Sequence, residues 1–274
     1  MDNKTKHFAL KGGTNTILVI LLVVASFLIG SLWTRTQFME KERATTGTNN
    51  PTGNVTSAPQ PASTVSLDKV KSLFANGFIH FGDAKRKALF VEVSDPSCPY
   101  CHIAGGYNPE LSKQVGPNFQ YVTDGGSYTP AVPEIKKLID EGKASLAVLY
   151  YPGHGNGILA MQALYCAFEK NKYWEVHEKL MTNEGYDLMN TKVINDEKNI
   201  PQLVDFLSGQ VDSAFLKSCL ESGKYKSVLT RDQDLGPSLT VQGTPHFILN
   251  TTIFSGAVDY KKTMESEVNK LLSQ

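Results

Sequence analysis

The sequence predicts an α/β fold: a sheet interrupted by a block of helices, behind an apolar N-terminal segment and a polar tether. Two apolar runs of strand length, Ala88–Val93 and Ser145–Tyr151, supply the first sign, because such runs suit strands covered on both faces. Between Ile158 and Leu235 the apolar period lengthens to three and four residues, and after Pro245 it shortens again. The chain therefore leaves a sheet for a helical insertion and later rejoins it.

The N-terminus comes first. From Gly12 to Thr34 no residue is charged, and Ile17–Trp33 is nearly all apolar. A helix crossing a bilayer core needs ~20 such residues, so residues 16–34 are expected to form a transmembrane anchor behind a short cytoplasmic tail, residues 1–15. A cleaved signal peptide has a shorter apolar run and a small-residue cleavage site, which only Ala25 and Ser31 approach. No cysteine follows the run, so a lipidated N-terminus is not expected. Lys4, Lys6 and Lys11 precede it while Arg35, Lys41 and Arg43 follow, a tie under the rule that counts Lys and Arg. Residues 35–65 read as a flexible linker, since 44–65 are rich in Thr, Asn, Pro, Gly and Ser and carry no charge.

From residue 66 to 274 the pattern is globular. Leu67–Ala75 suits a short helix, and Phe78–Phe81 a strand before a Gly82-Asp83 turn. Ala88–Val93 should be a central strand, with a helix starting at the Cys98 motif, and Ser145–Tyr151 another buried strand. Ile158, Met161, Tyr165 and Phe168 recur with helical spacing. Further helices fit Tyr173–Met181, Gln202–Leu207, Ala214–Leu220 and Tyr225–Leu235, which bounds the helical insertion at about residues 157–236. Pro245–Leu249 and Thr252–Phe254 make a hairpin, and Tyr260–Leu272 a closing amphipathic helix.

Charge and cysteine content narrow the function. With 27 basic and 27 acidic side chains the net charge is zero, so the electrostatic footprint of a nucleic-acid binder is missing. The four cysteines, Cys98, Cys101, Cys166 and Cys219, allow three pairings, and counting does not choose among them. Cys98-Pro99-Tyr100-Cys101 follows the central strand. A thiolate is the nucleophile in exchange with a disulfide, and an ordinary cysteine with pKa about 8.5 is mostly protonated at neutral pH. A helix N-terminus lowers that pKa, and proline is well tolerated in a first helical turn. Cys98 is therefore the expected nucleophile and Cys101, one turn on, the resolving thiol.

Other uses of the pair fit less well. Zinc wants four ligands, usually two close pairs; no second Cys-x-x-Cys exists, and His102 points elsewhere on the helix, so no metal is expected. A static staple is disfavoured because so small a ring is strained and labile. Gly153-His154-Gly155-Asn156-Gly157 shares only its glycines with a phosphate loop and lacks the Lys-Ser/Thr. His154 reads as part of a loop entering a helix, and Tyr173, Trp174 and His177 as a helical core face. Late in the chain Gly243-Thr244-Pro245 opens a strand, a position that proline tolerates.

With Glu92-Val93 ahead of Cys98, CPYC, the helical block with QALYCAFEKNKYWEVHEKL and FLKSCLESGKYKSVLTRDQDLG, and VQGTPHFILN near the end, residues 67–274 resemble the DsbA-like thiol:disulfide oxidoreductases. These belong to the thioredoxin superfamily. The resemblance covers about three quarters of the chain and implies a thioredoxin fold with an inserted helical domain. Carried over by residue, it makes Cys98 the exposed attacking thiol, Cys101 its partner, Pro245 a cis-proline across from the pair, and Thr244 the backbone contact for substrate. Pro99 and Tyr100 would also border the substrate. Glu92 becomes a buried carboxylate that relays a proton to Cys101, a solvent-facing edge residue being the alternative. Cys166 and Cys219, on separate inserted helices, are expected to form a structural disulfide worth roughly 4 kcal/mol in the chain-entropy model; two buried free thiols are the alternative, suited to a reducing compartment.

The sequence departs from that family in three places. Pro-Tyr replaces Pro-His between the cysteines, and a neutral tyrosine gives the thiolate no imidazolium, so a weaker oxidant is expected. Residues 115–143 form an extra segment, read as a surface helix over the sheet. His246 follows the proline, either tuning Cys98 or simply packed.

With the anchor read from residues 16–34 and the cysteine chemistry placing the C-terminal part outside the cytoplasm, the resemblance implies a membrane-anchored monomer that forms disulfides in exported proteins with free thiols. A quinone-linked membrane partner would reoxidise it, with no bound cofactor. A reductase or isomerase of the same fold is the nearest alternative, separated by the Cys98–Cys101 reduction potential. A redox-inert peptide-binding module is another, and would keep its activity as Cys98→Ser. A redox sensor facing the cytosol is a third, separated by the side on which the C-terminus lies.

Overall fold

A computed structural model describes residues 65–274; the expected tail, anchor and most of the linker lie outside the described residues. Among the described residues no helix is long and apolar enough to cross a membrane.

Five strands make one sheet. They are β1 (Ile79–Phe81), β2 (Ala88–Ser94), β3 (Ala144–Tyr150), β4 (His246–Leu249) and β5 (Thr252–Ser255), in the order β1-β3-β2-β4-β5. β2 and β3 are parallel, in register from Ala88 opposite Ala144 to Ser94 opposite Tyr150. β1 runs antiparallel to β3, and β4 to β2, with Val93 opposite His246. Every residue of β2 and β3 is buried. Side chains alternate between faces along a strand, so Leu89, Val91 and Val93 join one core with Val70 and Leu73, while Ala88 and Phe90 join a larger core under the inserted helices.

Helix α1 (Leu67–Ser72) is capped by Ser66, whose side chain accepts the Lys69 N–H. The parallel pair β2–β3 requires a crossover, made by α2 (Pro99–Gly105), α3 (Pro109–Val115) and α4 (Ala131–Asp140). The segment expected as a surface helix over the sheet supplies α4, which packs on β3 and buries Ala131, Val132 and Ile135. α3 escaped the sequence reading, although Asn108 caps it through the Leu111 N–H and Pro109 occupies its first turn.

The inserted block comprises α5 (Ile158–Phe168), α6 (Tyr173–Leu180), α7 (Asn183–Leu188), α8 (Ile200–Phe206), α9 (Ser213–Glu221) and α10 (Lys226–Leu235). α5 differs from the expected one-sided helix. Leu159 through Ala167 are all buried, whereas Ile158 is exposed, because α6, α9 and α10 surround it and a helix enclosed on all sides is apolar all round. Tyr173 and His177 of α6 are buried, and Trp174 stacks near Phe81, ring centroids 4.9 Å apart. Cys166 and Cys219 join α5 to α9 by a disulfide, Cα–Cα 6.2 Å. The closing helix divides into a π-type turn, Tyr260–Met264, and α11 (Glu265–Ser273).

Candidate active site

The site begins where β2 ends. Ser94-Asp95-Pro96-Ser97 leads from the strand to Cys98, which occupies the N-cap of α2 with Pro99 in the first turn. The N–H groups of Cys101 and His102 bond to the Cys98 carbonyl at 3.0 and 3.2 Å. The Cys98 thiol points across to the Thr244 carbonyl at 3.4 Å, and the Thr244–Pro245 peptide bond is cis. Cys98, Cys101, Thr244 and Pro245, distant in sequence, therefore meet at the ends of β2 and β4. Tyr100 is 43% exposed between the cysteines, its ring against Phe119.

Both cysteines are free thiols. Cys98 is only 5% exposed and Cys101 1%, so the first thiol lies less open than an exposed nucleophile. Their protons are held unequally. The Cys98 pKa falls to about 6, chiefly through a hydrogen bond from the Cys101 thiol, against the opposing effect of burial; the Cys101 and Tyr100 N–H groups add to the lowering. Cys101 is pushed well above the usual cysteine value by burial, and then by its bond to Cys98 and the Cys98 charge. The pair at neutral pH is one thiolate and one thiol sharing a proton. A thiolate is the form of cysteine that attacks a disulfide.

Glu92, on β2, is 2% exposed, so the edge-residue alternative is excluded. Burial raises its pKa to about 7, with the Ser94 hydroxyl pulling the other way. The same hydroxyl also favours ionised Cys101. Alternation along β2 puts Ser94 on the Glu92 side of the strand, so one buried hydroxyl influences both groups. His102 is buried with its Nε2 2.8 Å from the Pro96 carbonyl and Nδ1 3.0 Å from that of Met181. Burial lowers its pKa to about 4, and no ring nitrogen is left for a ligand. His246 is buried, its pKa lowered by burial. Among the described residues no group of three or more His, Cys, Asp or Glu side chains is placed to hold a metal ion.

Three contributors went unread in the sequence: Ser94, Asp95 and the Gly153–Gly157 loop. Asp95 is fully buried, yet its carboxylate accepts hydrogen bonds from the backbone of that loop. The closely spaced glycines are the sign of it in the sequence, since glycine marks close backbone approach. Cys166 and Cys219 lie in the helical block and share no hydrogen bond with the exchange pair.

A sheet with this strand order, a Cys-x-x-Cys at a helix start and a cis-proline opposite it define a thioredoxin-type redox protein. The chain belongs to the thioredoxin family, whose model matches residues 130–267, half of the chain. That match begins after the cysteine pair and takes in β3, the helical block and Pro245. Similar relatives include disulfide bond formation protein D of Bacillus subtilis strain 168, 23% identical over 189 residues, covering 65% of this chain and 71% of that protein. The probable disulfide bond formation protein D of Bacillus cereus is 27% identical over 145 residues, 51% of this chain. That alignment spans 65% of the relative's length, short of two thirds. Among solved structures, oxidised BdbD from Bacillus subtilis superposes with a TM-score of 0.53 at 20% identity, over 72% of this chain and 94% of that one. A variant of alpha-DsbA1 from Wolbachia pipientis gives 0.54 at 19% identity, over 74% and 96%. These likenesses show the fold.

Proposed function

We propose that the chain is a thiol:disulfide oxidoreductase that forms disulfides in exported proteins through Cys98 and Cys101. The observation that carries this reading is the unequal pair: a Cys98 thiol brought to about pKa 6, 3.4 Å from the carbonyl ahead of a cis-proline, next to a Cys101 held protonated. A substrate thiolate attacks Sγ of Cys98 in the oxidised enzyme. The Cys98–Cys101 bond breaks, and Cys101 leaves as a thiolate that takes up a proton. A second substrate thiolate then attacks the substrate sulfur of the mixed disulfide, expelling the Cys98 thiolate. Substrate loses two electrons and the enzyme pair gains them.

A low leaving-group pKa speeds that last step and stabilises the reduced enzyme, which favours the oxidising direction. Thr244 would pair with the substrate backbone beside Cys98, with Pro245, Pro99 and Tyr100 bordering it. Glu92, with a pKa of about 7, would supply or accept the Cys101 proton. The relatives' names, disulfide bond formation protein D, support the direction. The apolar run of residues 16–34 supports a membrane anchor, the cysteine chemistry with its Cys166–Cys219 disulfide supports a domain outside the cytoplasm, and reoxidation would fall to a quinone-linked membrane partner.

The test mixes the oxidised protein with a reduced, unfolded protein bearing two cysteines. Disulfides should form in the substrate stoichiometrically, Cys98→Ser should form none, and Cys101→Ser, mixed instead with the disulfide-bonded form of the same substrate, should accumulate a mixed disulfide at Cys98 as its thiolate attacks that bond and releases one substrate thiol. Substrate oxidation undiminished in Cys98→Ser would refute the assignment.

A further inference from the structure

The loop Gly153-His154-Gly155-Asn156-Gly157 joins β3 to α5, and the exchange steps above do not use it. Its backbone folds around a carboxylate. Gly153, His154 and Gly155 each donate an N–H to Oδ2 of Asp95, at 2.9, 2.8 and 3.1 Å. Oδ1 accepts the N–H and the hydroxyl of Ser97 at 2.8 and 2.7 Å, and Ser97 Oγ accepts the Asn156 N–H at 3.0 Å. From the helical block, Asn195 donates to the Gly155 carbonyl at 2.6 Å, and Asn156 donates to Asn190 Oδ1 at 3.1 Å. Both oxygens of the buried Asp95 side chain are engaged by backbone and hydroxyl donors, so the loop is held in one arrangement.

Two glycines show what the loop is pressed against. A Cβ on Gly153 would stand 1.8 Å from Thr244 Oγ1 and 3.4 Å from Cys98 Cβ, and one on Gly157 would stand 1.9 Å from Asp95 Oδ1. The loop thus abuts both the reacting cysteine and the residue ahead of the cis-proline. Yet Gly153, His154 and Gly155 remain exposed. Thr244 Oγ1, on the same seam, is buried without a hydrogen-bond partner. A fixed, exposed stretch of backbone against Cys98 is reachable by a chain lying over that thiol. A small thiol needs only the sulfur.

We propose that Asp95 is a positioning residue that makes the exposed Gly153–Gly157 loop a rigid wall beside Cys98, so that the protein selects a cysteine within an extended polypeptide over a small free thiol. This rests on the exchange reading above and adds the residue and the loop that set its preference for a polypeptide thiol. A preformed wall removes ordering cost from polypeptide docking, and that advantage does not extend to a thiol too small to reach the wall.

The experiment uses the full chain, oxidised, in detergent. Second-order rate constants are measured with an unstructured single-cysteine peptide and with glutathione, for wild type, Asp95→Asn, Asp95→Ala and Gly153→Ala. The peptide-to-glutathione ratio should fall about tenfold to a hundredfold in Asp95→Ala and Gly153→Ala, the range expected for small misplacements near a reacting centre, and by less in Asp95→Asn. Gly153→Ala disturbs the wall without touching the carboxylate, and Asp95→Asn keeps the side-chain volume, so a variant that fails to fold does not decide the matter. A ratio unchanged in folded variants overturns the proposal, as does an equal fall in both rate constants, which would place Asp95 with the nucleophile itself. Wild type inert to both thiols would sink the exchange reading and this proposal with it.

Discussion

Glu92 and Cys98 carry opposite pH signatures, and both follow from where their side chains sit. Glu92 has its pKa raised from 4.5 to about 7 by burial, so between those values the folded state holds a proton that the unfolded chain has released. Stability then falls as pH rises through that window, on the order of 3 kcal/mol for a shift of this size. Cys98, lowered from 9.0 to about 6, works the other way: the folded state releases its proton first, and stability rises between about pH 6 and 9. Glu92→Gln removes only the first effect. Its stability relative to wild type, from denaturant unfolding at pH 5 and pH 8, should therefore increase with pH, and an equal difference at both values would show that the carboxyl is not held protonated by burial. Cys98, Cys101 and Pro99 were legible in the sequence because their spacing encodes a helix start. The pull of Ser94 on both Glu92 and Cys101 was not, since it depends on β2 placing alternate residues on one face.

At the scale of elements, short-range pattern and tertiary setting divide cleanly. β2 and β3 were readable because strands covered on both faces must be apolar at every position, and both are buried throughout. The hairpin β4–β5 was readable from its return to a short period, with the tight turn at Asn250 in a left-handed conformation, φ 55°. α5 was found but its facing was misjudged: Ile158 carries the helical period yet lies at the outer end, and only the surrounding helices reveal that the intervening alanines are core. α4 lies over the sheet as expected, with Val132 and Ile135 on its buried stripe; its place in the crossover that the parallel pairing of β2 and β3 requires is a property no local window contains.

Across the whole molecule, the helical block does more than cover the sheet. Asn190 donates to the Ser97 carbonyl at 3.1 Å, and Asn195 binds the Gly153–Gly157 loop, so the insertion reaches both segments that border Cys98. The Cys166–Cys219 bond closes a separation of 53 residues within that block, for which chain entropy gives roughly 4 kcal/mol. The double substitution Cys166→Ala with Cys219→Ala should lower unfolding stability by a few kcal/mol while Cys98 still titrates as in wild type. Loss of the Cys98 titration would instead mean that the block's integrity sets the thiol's pKa.

The account depends most on a Cys98 that is ionised at neutral pH. Thiolate absorbance followed against pH in the reduced protein should show one group titrating near pH 6, absent from Cys98→Ser, with Cys101 protonated well into the alkaline range. A first thiol titrating at the ordinary value of about 8.5 would contradict it.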